Sequence, residues 1–152
     1  MYFYSKSSQN KLGLCHPDIQ TIFNAAIADK DITILSTHRS IEKQRELFMR
    51  GRKFENGIWV IDNKDEIVTY KDGTIKPSTH NLLPSNGIDA AEWFKEKPHI
   101  RWNDEKSFIE LNNVIQGHAN FNFNCGKIKH RLLWGGHWKM RDLCHWQLGG
   151  KK

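Results

Sequence analysis

A chain of 152 residues reads as one domain, with a core spanning about 12–149, and is long enough to bury a hydrophobic core of its own. Its 11 glycines and 4 prolines sit near the usual share for folded proteins and exclude collagen-like or low-complexity sequence, while the longest apolar stretches fall far short of the ~18 residues that a membrane span needs. A formal net charge of +6 and a pI near 9.3 point to an anionic partner.

The N-terminus, Met1-Tyr2-Phe3-Tyr4-Ser5-Lys6, lacks the charged start and apolar core of a secretory signal, so a cytoplasmic location before any release is expected. Ile19, Ile22, Phe23, Ala26 and Ile27 recur at helical spacing and predict a helix over Asp18–Lys30, with Pro17 and Asp18 suiting its first turn. Ile32–Leu35 is a short β-branched run, and Ser40 can cap a second helix over Ile41–Arg50 that stops at Gly51. From Lys53 to Lys76 the chain is polar, and its two β-prone pieces, Ile58–Ile61 and Ile67–Tyr70, suggest a hairpin or a long loop. Ser107 and Glu110 read as a capping box ahead of a third helix through Leu111, Val114, Ile115 and His118. Gly87–Ala90, Leu132–Trp134 and His145–Leu148 read as strands. Helices and strands that do not alternate strictly favour an α+β fold, a small antiparallel sheet packed with about three helices.

Three cysteines, Cys15, Cys125 and Cys144, are too widely and irregularly spaced for a disulfide framework or a Cys-x-x-Cys metal site, and each is expected to be a small buried thiol in a reducing compartment. Of the eight histidines, His16, His99, His118 and His130 lie among polar neighbours or on ordinary helix faces. His80, Asp89 and His145 are different in kind: two imidazoles and one carboxylate are a usual ligand set for catalytic zinc and leave a fourth tetrahedral position for water. Asp142, three residues before His145, is then placed to act as a general base, provided that it lies in the turn ahead of the strand rather than within it. Such spacing also arises by chance, so these residues taken alone leave the metal centre open.

The surrounding motifs narrow the choice. Thr37-His38-Arg39-Ser40-x-x-x-Gln44, Ser78-x-His80, Gly87-Ile88-Asp89 and Leu133-Trp134-Gly135-Gly136-His137-Trp138-x-x-x-Asp142-x-x-His145-Trp146-x-Leu148 appear in the order found in the zinc D-alanyl-D-alanine peptidase family, which this chain resembles from about Asp18 to Leu148. The family includes DD-carboxypeptidases and bacteriophage endolysins, and the likeness is greatest to phage L-alanyl-D-glutamate endopeptidases. It implies the zinc DD-peptidase (hedgehog-like) fold, one Zn²⁺ on His80, Asp89 and His145, Asp142 as general base, and Arg39 at the oxyanion or a substrate carboxylate. Gln44 and Ser78 match motif positions and, with His137, are candidates for substrate contact, Gln44 and Ser78 more readily as supports for a ligand or for the loop presenting His80. The implied substrate is the stem peptide of bacterial peptidoglycan, whose anionic wall suits a basic enzyme. A monomer held in the host cytoplasm until lysis is the expected state.

Departures from the family pattern are a His80-to-Asp89 interval two residues longer than usual, His137 where aspartate is common, and His38 before Arg39. The same catalytic parts serve a D-Ala-D-Ala carboxypeptidase, and a wall-binding relative without catalysis would lack the need for Asp142. A basic chain with six tryptophans and eight phenylalanines also raises a nucleic-acid-binding module. Against it, no nucleic-acid motif is present and the aromatics fall mainly in apolar segments where a core is the default.

Overall fold

The computed structural model describes residues 1–151 and has an α+β architecture. Its strands β1 (Ile32–Ser36), β4 (Gly87–Glu92), β5 (His130–Trp134) and β6 (His145–Lys151) form an antiparallel sheet in the order β1-β4-β6-β5, and β2 (Arg52–Glu55) and β3 (Ile58–Ile61) make a separate hairpin. Helix α2 (Pro17–Ala26) packs on α4 (Glu105–Asn124), which lies across β4 and β5; α1 (Lys6–Leu12) covers β1, and α3 (Ile41–Met49) leads into the hairpin. Among the described residues no helix is long and apolar enough to cross a membrane.

Period-2 alternation divides the sheet into a packed face and a chemical face. Ile88 and Ala90 of β4 and Trp146 of β6 are fully buried beside Ile19, Ile22 and Phe23 of α2 and Leu111 and Ile115 of α4, one continuous core. The Trp146 indole N–H is satisfied inside it by Asn112 Oδ1 at 3.0 Å. With Ile88 and Trp146 paired and turned inward, their neighbours Asp89 and His145 are paired and turned outward to the other face.

Several elements differ from expectation. Helix α1, seven residues with only Ser8 and Leu12 buried, carries too weak a pattern to read; tertiary bonds hold it, the Tyr4 hydroxyl donating to the Phe23 carbonyl at 2.8 Å and Ser8 Oγ accepting from Ile34 N–H at 3.1 Å. Helix α2 stops at Ala26, where the chain tightens into turns, rather than at Lys30. Helix α4 starts at Glu105 because Asp104 is its cap, its carboxylate accepting from Ser107 N–H at 3.2 Å, so Ser107 lies inside the helix rather than in a capping box. Strand β3 pairs with Arg52–Glu55 through an Asn56-Gly57 turn, both residues at positive φ, the geometry of a tight two-residue hairpin; Ile67–Tyr70 forms no strand. Only Trp134 and Trp146 of the six tryptophans belong to the core, with Trp93, Trp102 and Trp138 more than a third exposed.

Candidate active site

His80, Asp89 and His145 arrive from three places on one face of the sheet. Asp89 and His145 are direct cross-strand partners in β4 and β6, while His80 sits on a single 3₁₀ turn, Thr79–Asn81, fastened by Ser78: its hydroxyl accepts from His80 N–H and its own N–H donates to Asn81 Oδ1. The turn is further sewn to the Arg39 segment, Arg39 N–H donating to the His80 carbonyl at 2.7 Å and Asn81 Nδ2 to the Arg39 carbonyl at 2.9 Å.

Hydrogen bonding on the far side of each ring sets its tautomer. His80 Nδ1 faces the Thr37 carbonyl and must donate to it, which leaves Nε2 as a lone pair; His145 Nε2 faces Gln147 Oε1 at 3.2 Å, which favours a lone pair on Nδ1. Those two nitrogens lie 3.1 Å apart, and Asp89 Oδ1 lies 3.2 Å from the first and 2.8 Å from the second. In these tautomers three acceptors converge with no proton between them, an arrangement that calls for a cation. Bonds of about 2.0 Å to a tetrahedral ion set ligand atoms about 3.3 Å apart, so the donor set fits zinc with one position left open.

Gly87, which the sequence shows only as the first residue of the Gly87-Ile88-Asp89 motif, has a role of its own in the site. A Cβ there would stand 3.2 Å from both His80 Nε2 and His145 Cε1 and 2.5 Å from Thr79 Oγ1, so glycine leaves the room in which the two rings meet.

The three residues form the floor of an open groove of ≈ 600 Å³ that is also lined by Arg39, Ser78, Asp142, Trp138, Met140 and the run Val68–Lys71. Asp142 lies in the turn ahead of β6, as the general-base reading requires, with its backbone tied to the Gly135 carbonyl and its Oδ1 accepting from the Cys144 thiol at 3.3 Å. Burial and the neighbouring Asp142 push the Cys144 thiol well up, so it is a neutral donor beside the carboxylate. Arg39 Nη1 donates to Gln44 Oε1 at 2.9 Å, and Nη2 to Ser36 Oγ at 3.2 Å and Asp89 Oδ2 at 3.4 Å.

Other motif residues fall outside the groove. Gln44 is fully buried and serves Arg39 and the groove wall. His137 is not among the lining residues; its exposed ring stands edge-on to Trp134, 5.1 Å between centroids. His38 bonds the Leu82 carbonyl at 3.0 Å on the surface. Cys15 and Cys144 follow the expectation of sheltered thiols, Cys15 pushed up to about 12 by burial, whereas Cys125 is exposed just past the end of α4.

A second His/Asp/His group gathers from His16, Asp18 and His130, which sequence analysis treated as ordinary. Here hydrogen bonding accounts for the arrangement: Asp18 Oδ2 accepts from Lys129 N–H, His130 N–H and His130 Nδ1 at 2.8–3.0 Å, and His16 Nδ1 accepts from Asp18 N–H as the cap of α2. It is a clamp that ties the start of β5 to the first turn of α2.

The fold is one shared with an endopeptidase of known structure. The crystal structure of the Serratia marcescens L-Ala D-Glu endopeptidase ChiX superimposes with a TM-score of 0.67 over 98% of this chain and 90% of that one, at 19% identity. Likeness at that identity is likeness of fold. No protein-family model matches the chain, and no curated protein matches it in sequence.

Proposed function

We propose that the protein is a zinc-dependent peptidase that hydrolyses the L-Ala–D-Glu bond of the peptidoglycan stem peptide. The observation that carries this reading is the convergence of His80 Nε2, His145 Nδ1 and Asp89 Oδ1 on one point at the floor of a groove that Asp142 and Arg39 also line. Zinc bound there supplies Lewis acidity, which polarises a carbonyl and brings the pKa of water to about 7.

The chain's own residues supply the rest. Asp142, held by the Gly135 carbonyl and the Cys144 thiol, takes the proton of the attacking water on its carboxylate and hands it to the leaving amine. Arg39 remains charged throughout, and the N–H groups not used by Gln44, Ser36 and Asp89 donate to the oxygen that gains charge as the carbonyl becomes tetrahedral. Ser78 keeps His80 in place by capping its turn, and Trp138, whose ring lies 5.2 Å from that of His145, shields one side of the centre. The choice of bond follows the fold shared with ChiX and the motif resemblance to phage endopeptidases.

Mass spectrometry of fragments released from purified peptidoglycan tests it. New N-terminal D-Glu is expected, with activity lost on chelation and restored by zinc. Free D-Ala in place of those fragments would make the protein a carboxypeptidase, and no released peptide at all would overturn the enzymatic reading.

A further inference from the structure

The groove holds two cations of different standing. Arg39 is committed: its guanidinium bonds Gln44 and Ser36 and pairs with Asp89 at 3.4 Å, so much of its charge is balanced within the protein. Lys71 lines the same groove, its side chain is exposed, and among the described residues its ammonium has no hydrogen-bond or ion-pair partner.

The backbone beneath Lys71 is not a loose loop. Gln44, fully buried, donates from Nε2 to the Lys71 carbonyl at 2.8 Å and to Thr69 Oγ1 at 3.3 Å, and that hydroxyl accepts from Lys71 N–H at 3.1 Å. Gly73 closes against the same side chain: at φ +89°, the position of its missing Cβ lies 3.1 Å from Gln44 Cβ and Cγ. One glutamine thus holds the Arg39 guanidinium with its Oε1 and the Lys71 backbone with its Nε2, tying the segment that carries the second cation to the first.

Resting on the proposed peptidase activity, we propose that Lys71 is a specificity-determining residue that reads a carboxylate on an acidic residue next to the scissile bond. Charge supports this. A divalent ion on two neutral imidazoles and Asp89 leaves about one positive charge, Arg39 and Lys71 add two, and Asp142 removes one, so the groove favours an anionic peptide. Lys71 is the member of that set whose charge no neighbour offsets, and it stands on a wall rigid enough for its position to be selective.

The test compares kcat/KM for two synthetic peptides with the same L-Ala–D-Glu bond, one with the remaining D-Glu carboxylate free and the other with it converted to a carboxamide. The parent enzyme should prefer the acid by about tenfold, the effect of one charge-assisted contact. Lys71→Met should bring the ratio close to one, Lys71→Arg should retain it, and Lys71→Glu should invert it, with zinc content and thermal unfolding matching the parent. The preference should also shrink as salt is raised. A Lys71→Met enzyme that keeps the parent ratio, or that loses both substrates in equal proportion, overturns the assignment of Lys71. If the parent cuts neither peptide, the L-Ala–D-Glu reading fails and takes the assignment with it.

Discussion

Replacing Gly87 by alanine asks whether the meeting of the two histidine rings is as tight as the structure shows. The new Cβ would lie 2.5 Å from Thr79 Oγ1 and 3.2 Å from both His80 Nε2 and His145 Cε1. Thr79 can rotate its hydroxyl away. The rings have less freedom, because His80 is tied through Nδ1 to the Thr37 carbonyl and His145 through Nε2 to Gln147, while residue 87 itself is paired with Gln147 in β6. Each ring must therefore give by a few tenths of an ångström, His80 at the Nε2 that faces the centre and His145 at Cε1, which adjoins its Nδ1. Crowding of this kind costs about 1–3 kcal/mol, and a disturbance around metal ligands lowers affinity by about 10–100-fold, the same range once converted. Zinc affinity measured by competition with a chromophoric chelator should fall by that factor in Gly87→Ala. Urea unfolding in excess chelator would separate damage to the fold from damage to the centre. Gly117 is the control: it lies on the exposed face of α4 with nothing within 4 Å of an added Cβ, so Gly117→Ala should stabilise by about 0.5–1 kcal/mol and leave zinc affinity alone. A Gly87→Ala protein that binds zinc within about twofold of the parent would show that the rings are not confined in this way.

Asp142→Asn keeps shape and hydrogen bonding but removes the proton acceptor, so hydrolysis should fall about a hundredfold while the protein still binds one zinc; loss of the ion would make Asp142 a ligand or a structural support instead. Zinc at a hundred times its dissociation constant should stabilise the fold by about 2.7 kcal/mol, or about 5–10 °C in Tm for a chain of this size, reversed by chelation; a Tm indifferent to zinc would remove the centre. The Asp18 clamp gives a pH signature. Burial pushes its carboxyl up, but hydrogen bonds from His130 and from the backbone of Lys129 and His130 outweigh this and hold it below its ordinary value. A depressed folded pKa means that the stability it contributes is fully present above the unfolded value of about 3.9 and is lost as pH falls through the folded one. Asp18→Asn should destabilise by about 1–2 kcal/mol near neutral pH and flatten the fall of urea midpoints as pH drops below about 4; an unchanged acid slope would refute the clamp's role.

Where a segment buries a regular stripe, its pattern is visible in the sequence. Helix α2 and strands β1, β4 and β6 have apolar spacing or β-branched runs that match the faces they bury, whereas α3, whose one buried residue is Gln44, was legible from its cap at Ser40, whose hydroxyl accepts from Lys43 N–H at 3.2 Å. Helix α1 was not legible, and of the β2–β3 hairpin only the Ile58–Ile61 strand was, its partner Arg52–Glu55 giving no signal. The first depends on bonds to Phe23 and Ile34, residues distant in the chain, and the second exposes most of its side chains, so neither leaves a hydrophobic period. The Asn56-Gly57 pair was a readable turn signal, and it outranks the apolar Ile67–Tyr70 piece as the guide to which strands pair.

The sequence by itself determined the donor types and their order: two histidines, an aspartate, a second aspartate three residues before the last ligand, and an arginine in a motif, because chemistry of this kind depends on residue identity. It also determined that Ile88 and Trp146 turn inward, and with them that Asp89 and His145 turn the other way. Only the tertiary structure decided that these two meet across β4 and β6, that Gly87 is the clearance between the rings, and that Gln44 is a buried strut rather than a groove residue. It likewise brought Lys71 to the groove and left it unpaired there, and set His16, Asp18 and His130 together as a clamp. Those outcomes depend on strand register and on which carbonyl lies behind each ring, and register is fixed by the packing of the whole core, which no local stretch of sequence encodes.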